Sequence, residues 1–363
     1  MSSSEIISSN LFSQIESTEH EQVVFCYDKE LGLKAIIAVH DTTLGPSLGG
    51  TRVWNYSNES DALNDVLRLS RGMTYKSSIS GINLGGGKAV IIADNTVKKD
   101  EFFWRRYGKF VDKLSGKYIT AEDVGTSPRE IEFIAQETKY VAGKPFYLGG
   151  GGDPSPFTAY GVYMSMKASW KKATGNESLS GVKIAVQGAG HVGQYLIDHL
   201  IKEQAIVSIA DINEANINSV TSKHKVTVLS PNEIVASDND IYAPCALGAT
   251  VNAESIPSLK CSVICGAANN QLKNEDIDGN ELMKKGILYA PDFLINAGGV
   301  INCYSEVIGD YNKEKTLKLI EPIYDRVLEV YNMSEKESIN PQQAAIKLAK
   351  ARIQMAKNLN AKL

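Results

Sequence analysis

Residues 182–196 read VKIAVQGAGHVGQYL, an apolar run that breaks at three spaced glycines and resumes as a helical pattern. Gly188, Gly190 and Gly193 give the spacing GxGxxG, and Asp211 ends the next apolar run 23 residues after Gly188. A lone GxGxxG is a weak signal. Between a buried strand and a helix, with an acidic residue at that distance, it marks a dinucleotide site. Gly188 makes the tight turn, Gly190 lets a pyrophosphate approach the backbone, and Gly193 lets the helix pack closely. Ala189, His191 and Val192 complete the loop, where the unpaired N–H groups of the helix start face the phosphates. Asp211 is suited to the ribose hydroxyls of an adenosine and repels a 2′-phosphate. Ile212 follows it rather than an arginine, so NAD is expected over NADP.

The pattern around this loop extends it into a domain. Apolar strand-like runs at 182–188, 205–211, 240–245, 262–267 and 287–292 alternate with helical stretches such as 194–201 and 212–222. Continuous apolar strands between helices predict a parallel sheet covered on both faces, a doubly wound Rossmann-type α/β domain. The first half reads differently. Runs at 21–28 and 33–41 flank the turn at 29–32 and predict a hairpin, 61–69 predicts a helix, and 88–94 a buried strand. Phe103, Tyr107, Phe110 and Leu114 recur at helical spacing and are assigned to core rather than to a stacking platform.

The strongest punctuation is LGGGGDPSP at 148–156, four glycines and two prolines, taken as a domain boundary with hinge glycines. The expected division is an N-terminal α/β domain over 1–148 and the dinucleotide domain over 149–339. Residues 1–12 are expected as a disordered tail. Asn340 and Pro341 make a good helix start, and the helix over 340–363 is expected to pack back on the first domain.

Composition sets limits. At 363 residues the chain exceeds one ordinary core. A formal net charge of −4 offers no electrostatic reason for nucleic acid or an anionic membrane as partner. No secretory pattern opens the chain and no run is long enough to span a bilayer. Five cysteines at 26, 245, 261, 265 and 303 lack metal or disulfide spacing, so no metal is expected and a reducing, cytoplasmic setting is.

LGGGKAVI at 84–91 raises a separate question, because glycine runs are costly to order. As a Walker A loop it fails twice, with Ile82 and Ala89 where glycine and Ser/Thr are needed. The other reading is that the glycines make room for a substrate beside Lys88. In a desolvated pocket near a second cation, for which Lys76 is the candidate, Lys88 would titrate low enough to act as a base.

LGPSLGGTR (44–52), RGMTYK (71–76), LGGGKAVI (84–91), TAEDVGT (120–126), DPSPFTAYGV (153–162), APCALGA (243–249), GAANNQL (266–272) and APDFLINAGGVIN (290–302) occur in the order and spacing of one family. The chain resembles the Glu/Leu/Phe/Val dehydrogenases from about residue 20 to its end. The resemblance implies NAD-dependent, reversible oxidative deamination of an L-amino acid to a 2-oxo acid and ammonia. It implies that Lys76 binds the α-carboxylate, that Lys88 activates water, and that Asp123 exchanges protons with the amino group. Gly49 and Gly50 would line the pocket through their backbone, with Met73 beside them. Thr158, Asn270 and Asn296 would hold the nicotinamide end, and Ala246 would also bind the cofactor. A homo-oligomer, an octamer built through the first domain, is also implied.

For substrate, glutamate-specific relatives carry a lysine where this chain has Leu48, which would leave a buried carboxylate unpaired. The rest of the side-chain pocket would be Ala121, Val300 and Cys303. Phenylalanine-type relatives have a smaller residue at the first of these positions and a larger one at the second, so branched-chain substrates are expected. Cys303 stands where valine is usual, a retuning rather than a switch. A phenylalanine dehydrogenase is the alternative. An inactive dinucleotide-binding homologue is opposed by the intact set Lys76, Lys88 and Asp123. A 2-hydroxy-acid dehydrogenase would need a catalytic histidine, and none of the five has a suitable context.

Overall fold

The computed structural model describes residues 11–309 and 311–361. Residues 1–10 of the expected tail lie outside the described residues. Leu11 and Phe12 correct its extent, because they open the short helix α1 (Leu11–Ser17). The chain divides into two compact units. Unit 1 runs through Gly152 and takes in Glu306–Gly309 and the chain from Ile353. Unit 2 is, among the described residues, 153–305 and 311–352.

Unit 1 contains β1 (Gln22–Asp28), β2 (Leu33–Asp41), β3 (Ser47–Trp54), α2 (Glu59–Ile79), β4 (Gly85–Ile92), α3 (Glu101–Asp112), β5 (Tyr118–Glu122) and α4 (Pro128–Ala135). Its sheet has the order β1-β2-β4-β3-β5. β1 and β2 form an antiparallel hairpin with Cys26 opposite Ala35. β4 is antiparallel to β2 and parallel to β3, which is parallel to β5. On one face α3 buries Phe103, Trp104 and Tyr107 against Ile37 and Ile91, with Phe110 at the margin, so the aromatic stripe is core.

On the other face α2 covers β4. It starts where the Asn58 side chain accepts the Asp61 N–H at 2.9 Å, and it buries Leu63, Val66 and Leu67 against Ile36 and Val90. Leu11 of α1 packs on this same cluster. α2 runs well past the predicted 61–69. Beyond Leu69 its inner face is Ser70, Thr74, Ser77 and Ser78, all buried, and small polar side chains leave no apolar period to read. Ser70 Oγ satisfies itself by donating to Val66 O at 2.7 Å.

Those small residues let α2 approach β4 to backbone contact. The three glycines of LGGGK are therefore not a loop; they are the first three residues of β4. Nor do they leave room for a ligand. A Cβ on Gly85 would lie 2.1 Å from Asp41 O, on Gly86 2.2 Å from Thr74 N, and on Gly87 2.7 Å from the Tyr118 ring. Protein atoms occupy all three spaces.

Unit 2 contains α5 (Ser155–Thr174), β6 (Lys183–Gln187), α6 (His191–Lys202), β7 (Ile206–Ala210), α7 (Glu214–Thr221), β8 (Thr227–Val228), β9 (Ile241–Pro244), β10 (Val263–Ile264), α8 (Glu275–Lys284), β11 (Leu288–Tyr289), α9 (Asp292–Ile295), most of α10 (Gly298–Val307), α11 (Lys313–Ile320), α12 (Ile323–Glu337) and the first half of α13 (Pro341–Asn360). Its sheet has the order β11-β10-β9-β6-β7-β8, parallel at every pairing. β6 and β9 are neighbours, and the strands that follow each run outward in opposite directions. That reversal opens a ligand crevice at the carboxyl ends of β6 and β9.

The unit division falls after Gly152, and the glycine run before it is tied down. Gly150 N–H donates to Pro145 O and Gly152 N–H to Lys144 O, both at 3.1 Å. Gly151 N–H donates to the buried Glu306 carboxylate at 3.2 Å. α13 starts on the Asn340 side chain, which accepts the Gln343 N–H at 3.0 Å. Gln343 then bonds Asp276 of α8, so the helix start docks on unit 2. Past Arg352 it belongs to unit 1, where Lys357 pairs with Asp41 at 3.0 Å.

Candidate active site

Unit 1 gathers a pair of opposite charges at the centre of its sheet. Lys88, on β4, has an 8% exposed side chain, and its Nζ lies 2.7 Å from Asp123 Oδ2, just beyond β5. The neighbouring backbone is closely packed. A Cβ on Gly49 would lie 1.8 Å from Gly87 O, and one on Gly50 would lie 2.8 Å from the Asp123 Cβ. Tyr118 Oη donates to Gly49 O at 2.6 Å from beneath. Asp123 N–H donates to Thr126 Oγ1 at 2.8 Å, which fixes the carboxylate's backbone. The glycines thus bring β3, β4 and β5 close enough for a short lysine–aspartate contact.

Burial lowers the pKa of Lys88 below that of an ordinary lysine, and the Asp123 carboxylate only partly restores it. For Asp123 burial acts upward, but the Lys88 ammonium and the Arg52 guanidinium outweigh it and hold the carboxyl below its usual range. One group is thus ready to give up a proton and the other to stay charged.

The remaining unit 1 candidates lie close by in the fold. Leu48 on β3 and Ala121 on β5 are buried, at 2% and 6% exposure. Met73 and Lys76 are half-buried on α2, one turn from each other. Val300 and Cys303 lie on α10 in unit 2, the first buried and the second half-buried.

In unit 2 the dinucleotide candidates line the carboxyl ends of the strands. Gly188 follows β6 at φ +109°, and a Cβ there would lie 2.7 Å from Ala246 N, in the segment after β9. A Cβ on Gly193 would lie 2.1 Å from Gly188 O, so α6 and the turn meet without side chains. At Gly190 nothing lies within 4 Å. Gly190 caps α6 with no side chain on the first N–H groups, and His191 is exposed. Asp211, at the end of β7, accepts the Ala189 N–H at 2.7 Å and the Asn213 N–H at 2.8 Å. Asn213 rather than Asp211 caps α7. Ile212 is 90% exposed, so no cation stands there.

Asn270 sits in the left-handed region at φ +52°, held by its N–H on Asp292. Asn296 donates to Asn269 Oδ1 at 2.7 Å and to Ala267 O at 3.2 Å, while its own buried Oδ1 has no partner. Thr158 Oγ1 donates to Pro154 O at 3.1 Å, beside Gly299. An open glycine at a bare helix start, a carboxylate at the next strand end and an orphaned amide oxygen fit a dinucleotide with a carboxamide head. Among the described residues no cluster of His, Cys, Asp or Glu could hold a metal ion, and no helix is long and apolar enough to cross a membrane.

Residues 20–140 match the dimerisation domain of the Glu/Leu/Phe/Val dehydrogenases, and 149–219 with 212–360 match their Glutamate/Leucine/Phenylalanine/Valine dehydrogenase domain. The chain belongs to the Glu/Leu/Phe/Val dehydrogenase family. It is 51% identical to the leucine dehydrogenase of Bacillus cereus over 348 residues, 96% of this chain and 94% of that protein. It is 44% identical to the phenylalanine dehydrogenase of Bacillus thermotolerans, over 93% and 89% of the two chains. The crystal structure of L-tryptophan dehydrogenase from Nostoc punctiforme has a TM-score of 0.86 at 45% identity, covering 96% of this chain and 100% of that one. The protein is an amino acid dehydrogenase with the two-domain α/β fold of its family, whose members generally use a nicotinamide cofactor.

One charged group beside the Lys88–Asp123 pair has no signature in the sequence. Arg52 ends the quoted GGTR segment, yet its guanidinium reaches Asp123. Its spacing to Asp123 and to Asp65 obeys no local period, so only the sheet and α2 reveal the cluster.

Proposed function

We propose that this dehydrogenase catalyses the NAD-dependent oxidative deamination of branched-chain L-amino acids, leucine, valine and isoleucine, to 2-oxo acids and ammonia. The observation that carries the reading is the contact of the buried Lys88 with the half-buried Asp123, 2.7 Å apart beside the glycine backbone of β3. When bound, the nicotinamide supplies the acceptor for the hydrogen and electron pair leaving Cα. Lys76 pairs with the substrate α-carboxylate. Lys88, whose proton is loosened by burial, takes a proton from water as it adds to the iminium carbon. Asp123 exchanges protons with the amino group as ammonia leaves. The two ammonium groups also stabilise the charge that develops on the 2-oxo product.

The apolar, buried Leu48 supports an uncharged side chain. A glutamate carboxylate there would be buried without a partner. Asp211 beside the exposed Ile212 supports NAD over NADP. Similarity to leucine dehydrogenases supports the branched-chain class, while the phenylalanine and tryptophan relatives keep aromatic substrates as the second reading. Unit 1, which matches a dimerisation domain, is where we place assembly into a homo-oligomer, an octamer. Five free cysteines fit a cytoplasmic setting.

Reduced-cofactor formation with L-Leu, L-Val, L-Ile, L-Phe, L-Trp and L-Glu, each with NAD+ and NADP+, tests the reading. Turnover should be greatest with a branched-chain substrate and NAD+. Preference for an aromatic substrate, or for NADP+, overturns the corresponding half.

A further inference from the structure

Arg52 leaves β3 with a half-buried side chain and bridges two carboxylates. Its Nε donates to Asp123 Oδ2 at 3.2 Å and its Nη1 to Asp65 Oδ2 at 3.0 Å. The Asp123 oxygen it meets is the same one that meets Lys88 Nζ. Asp65, on α2, is fixed in turn. Tyr56 Oη donates to its Oδ2 at 2.7 Å and Arg68 Nη2 to its Oδ1 at 3.0 Å. An exposed arginine pair would have no need of a second carboxylate or a locked partner. A guanidinium is planar, with donors at fixed angles, so anchoring one side on Asp65 sets where Nε points.

We propose that Arg52 is a positioning residue for the acid–base pair: anchored on Asp65, it holds the Asp123 carboxylate against Lys88 and is the second cation of that site. The inference rests on the roles given above to Lys88 and Asp123. A lysine can stand in for an arginine only where a point charge suffices, whereas this geometry uses the fork. Arg52 stays charged at all working pH values, so its field on Lys88 is permanent and opposes protonation of the amine. It also helps keep Asp123 ionised. Asp65 acts on Lys88 in the opposite sense, favouring the ammonium.

The other ionisable groups nearby do not mimic this effect. The Tyr56 and Tyr118 phenols are pushed upward by burial, Tyr118 to about 12, and stay neutral. α2 also carries Arg71, Tyr75 and Lys76, and β2 carries His40, bonded to Thr74 Oγ1 at 2.8 Å. His40 is pushed down to about 4, mainly by burial, and is neutral where the enzyme would be assayed.

The test compares Arg52→Gln, Arg52→Lys and Asp65→Asn in the full-length enzyme, measuring kcat and kcat/KM against pH, melting temperature and NADH binding. In the oxidative direction the wild type should gain activity as Lys88 loses its proton. Arg52→Gln should move that limb about one pH unit upward, a loss of about tenfold on its acid side, with NADH binding unchanged. Asp65→Asn should move the limb downward. Arg52→Lys should return the limb toward wild type while kcat stays low, because one ammonium cannot reach both carboxylates. Opposite shifts from neighbouring residues are not what a purely structural role gives. The proposal is overturned if Arg52→Gln leaves limb and kcat unmoved, or if all three variants lose activity only in step with melting temperature. If Lys88→Ala itself keeps turnover, the underlying assignment fails instead, and that result is distinct.

Discussion

At Gly86 an added Cβ would stand 2.2 Å from the backbone nitrogen of Thr74, while at Gly190 nothing lies within 4 Å. Both residues sit in three-glycine motifs, and both motifs flank functional groups, yet the physical demands are opposite. In β4 the glycines remove side chains so that α2, β2 and β3 can close on the strand. The result is a closely packed seat for Lys88, with protein atoms in the space the missing side chains would take. After β6 the first and last glycines are likewise crowded, by Ala246 and by the turn itself, but the middle one is left open over a bare helix start. Glycine serves closure in one unit and access in the other.

The comparison can be broken at either end. Gly86→Ala should have the largest effect. Overpacking against backbone atoms cannot be relieved by a rotamer, so about 3 kcal/mol of unit 1 stability, the upper end of the usual cost, should be lost, a large share of a typical total. Thr74→Ala should not rescue it, because the nearest backbone atom is the Thr74 nitrogen. Chemical denaturation checks this, and a Gly86→Ala protein of wild-type stability would show that the close approach is wrong. Gly190→Ala should be milder and different in kind. Its φ of −71° is open to any residue, so stability should hold, while NADH affinity falls about tenfold, or about 1.4 kcal/mol. Titration of the bound cofactor's fluorescence measures it. Unchanged affinity would remove the pyrophosphate from that loop.

How far these sites could be read beforehand follows from the same contrast. The dinucleotide loop is a contiguous strand–turn–helix, so its glycines and Asp211 are written within about thirty residues, and the parallel sheet follows from the strand–helix alternation beyond them. The hairpin and the aromatic core stripe of α3 were legible for the same local reason. β4 was not. A glycine run argues against a strand, and its justification lies on α2, whose inner face of Ser and Thr carries no apolar period. Lys88 was legible as buried from its apolar flanks. Its immediate electrostatic partners were only half legible, since Asp123 came with the family resemblance and Arg52 and Asp65 came from the fold alone. The four glycines before Asp153 looked loose for want of a visible partner. Glu306, more than 150 residues away, is that partner, and it accepts the Gly143 N–H at 2.9 Å as well as that of Gly151.

The central claim is that the two motifs divide the labour, one seating the base and the other holding the dinucleotide. Lys88→Ala separates them in a single sample in which NADH binding and amino acid turnover are both measured. The account predicts that NADH affinity is retained while kcat with L-leucine falls by about 10²–10⁴-fold. Turnover close to wild type, or loss of NADH binding along with it, would contradict the account.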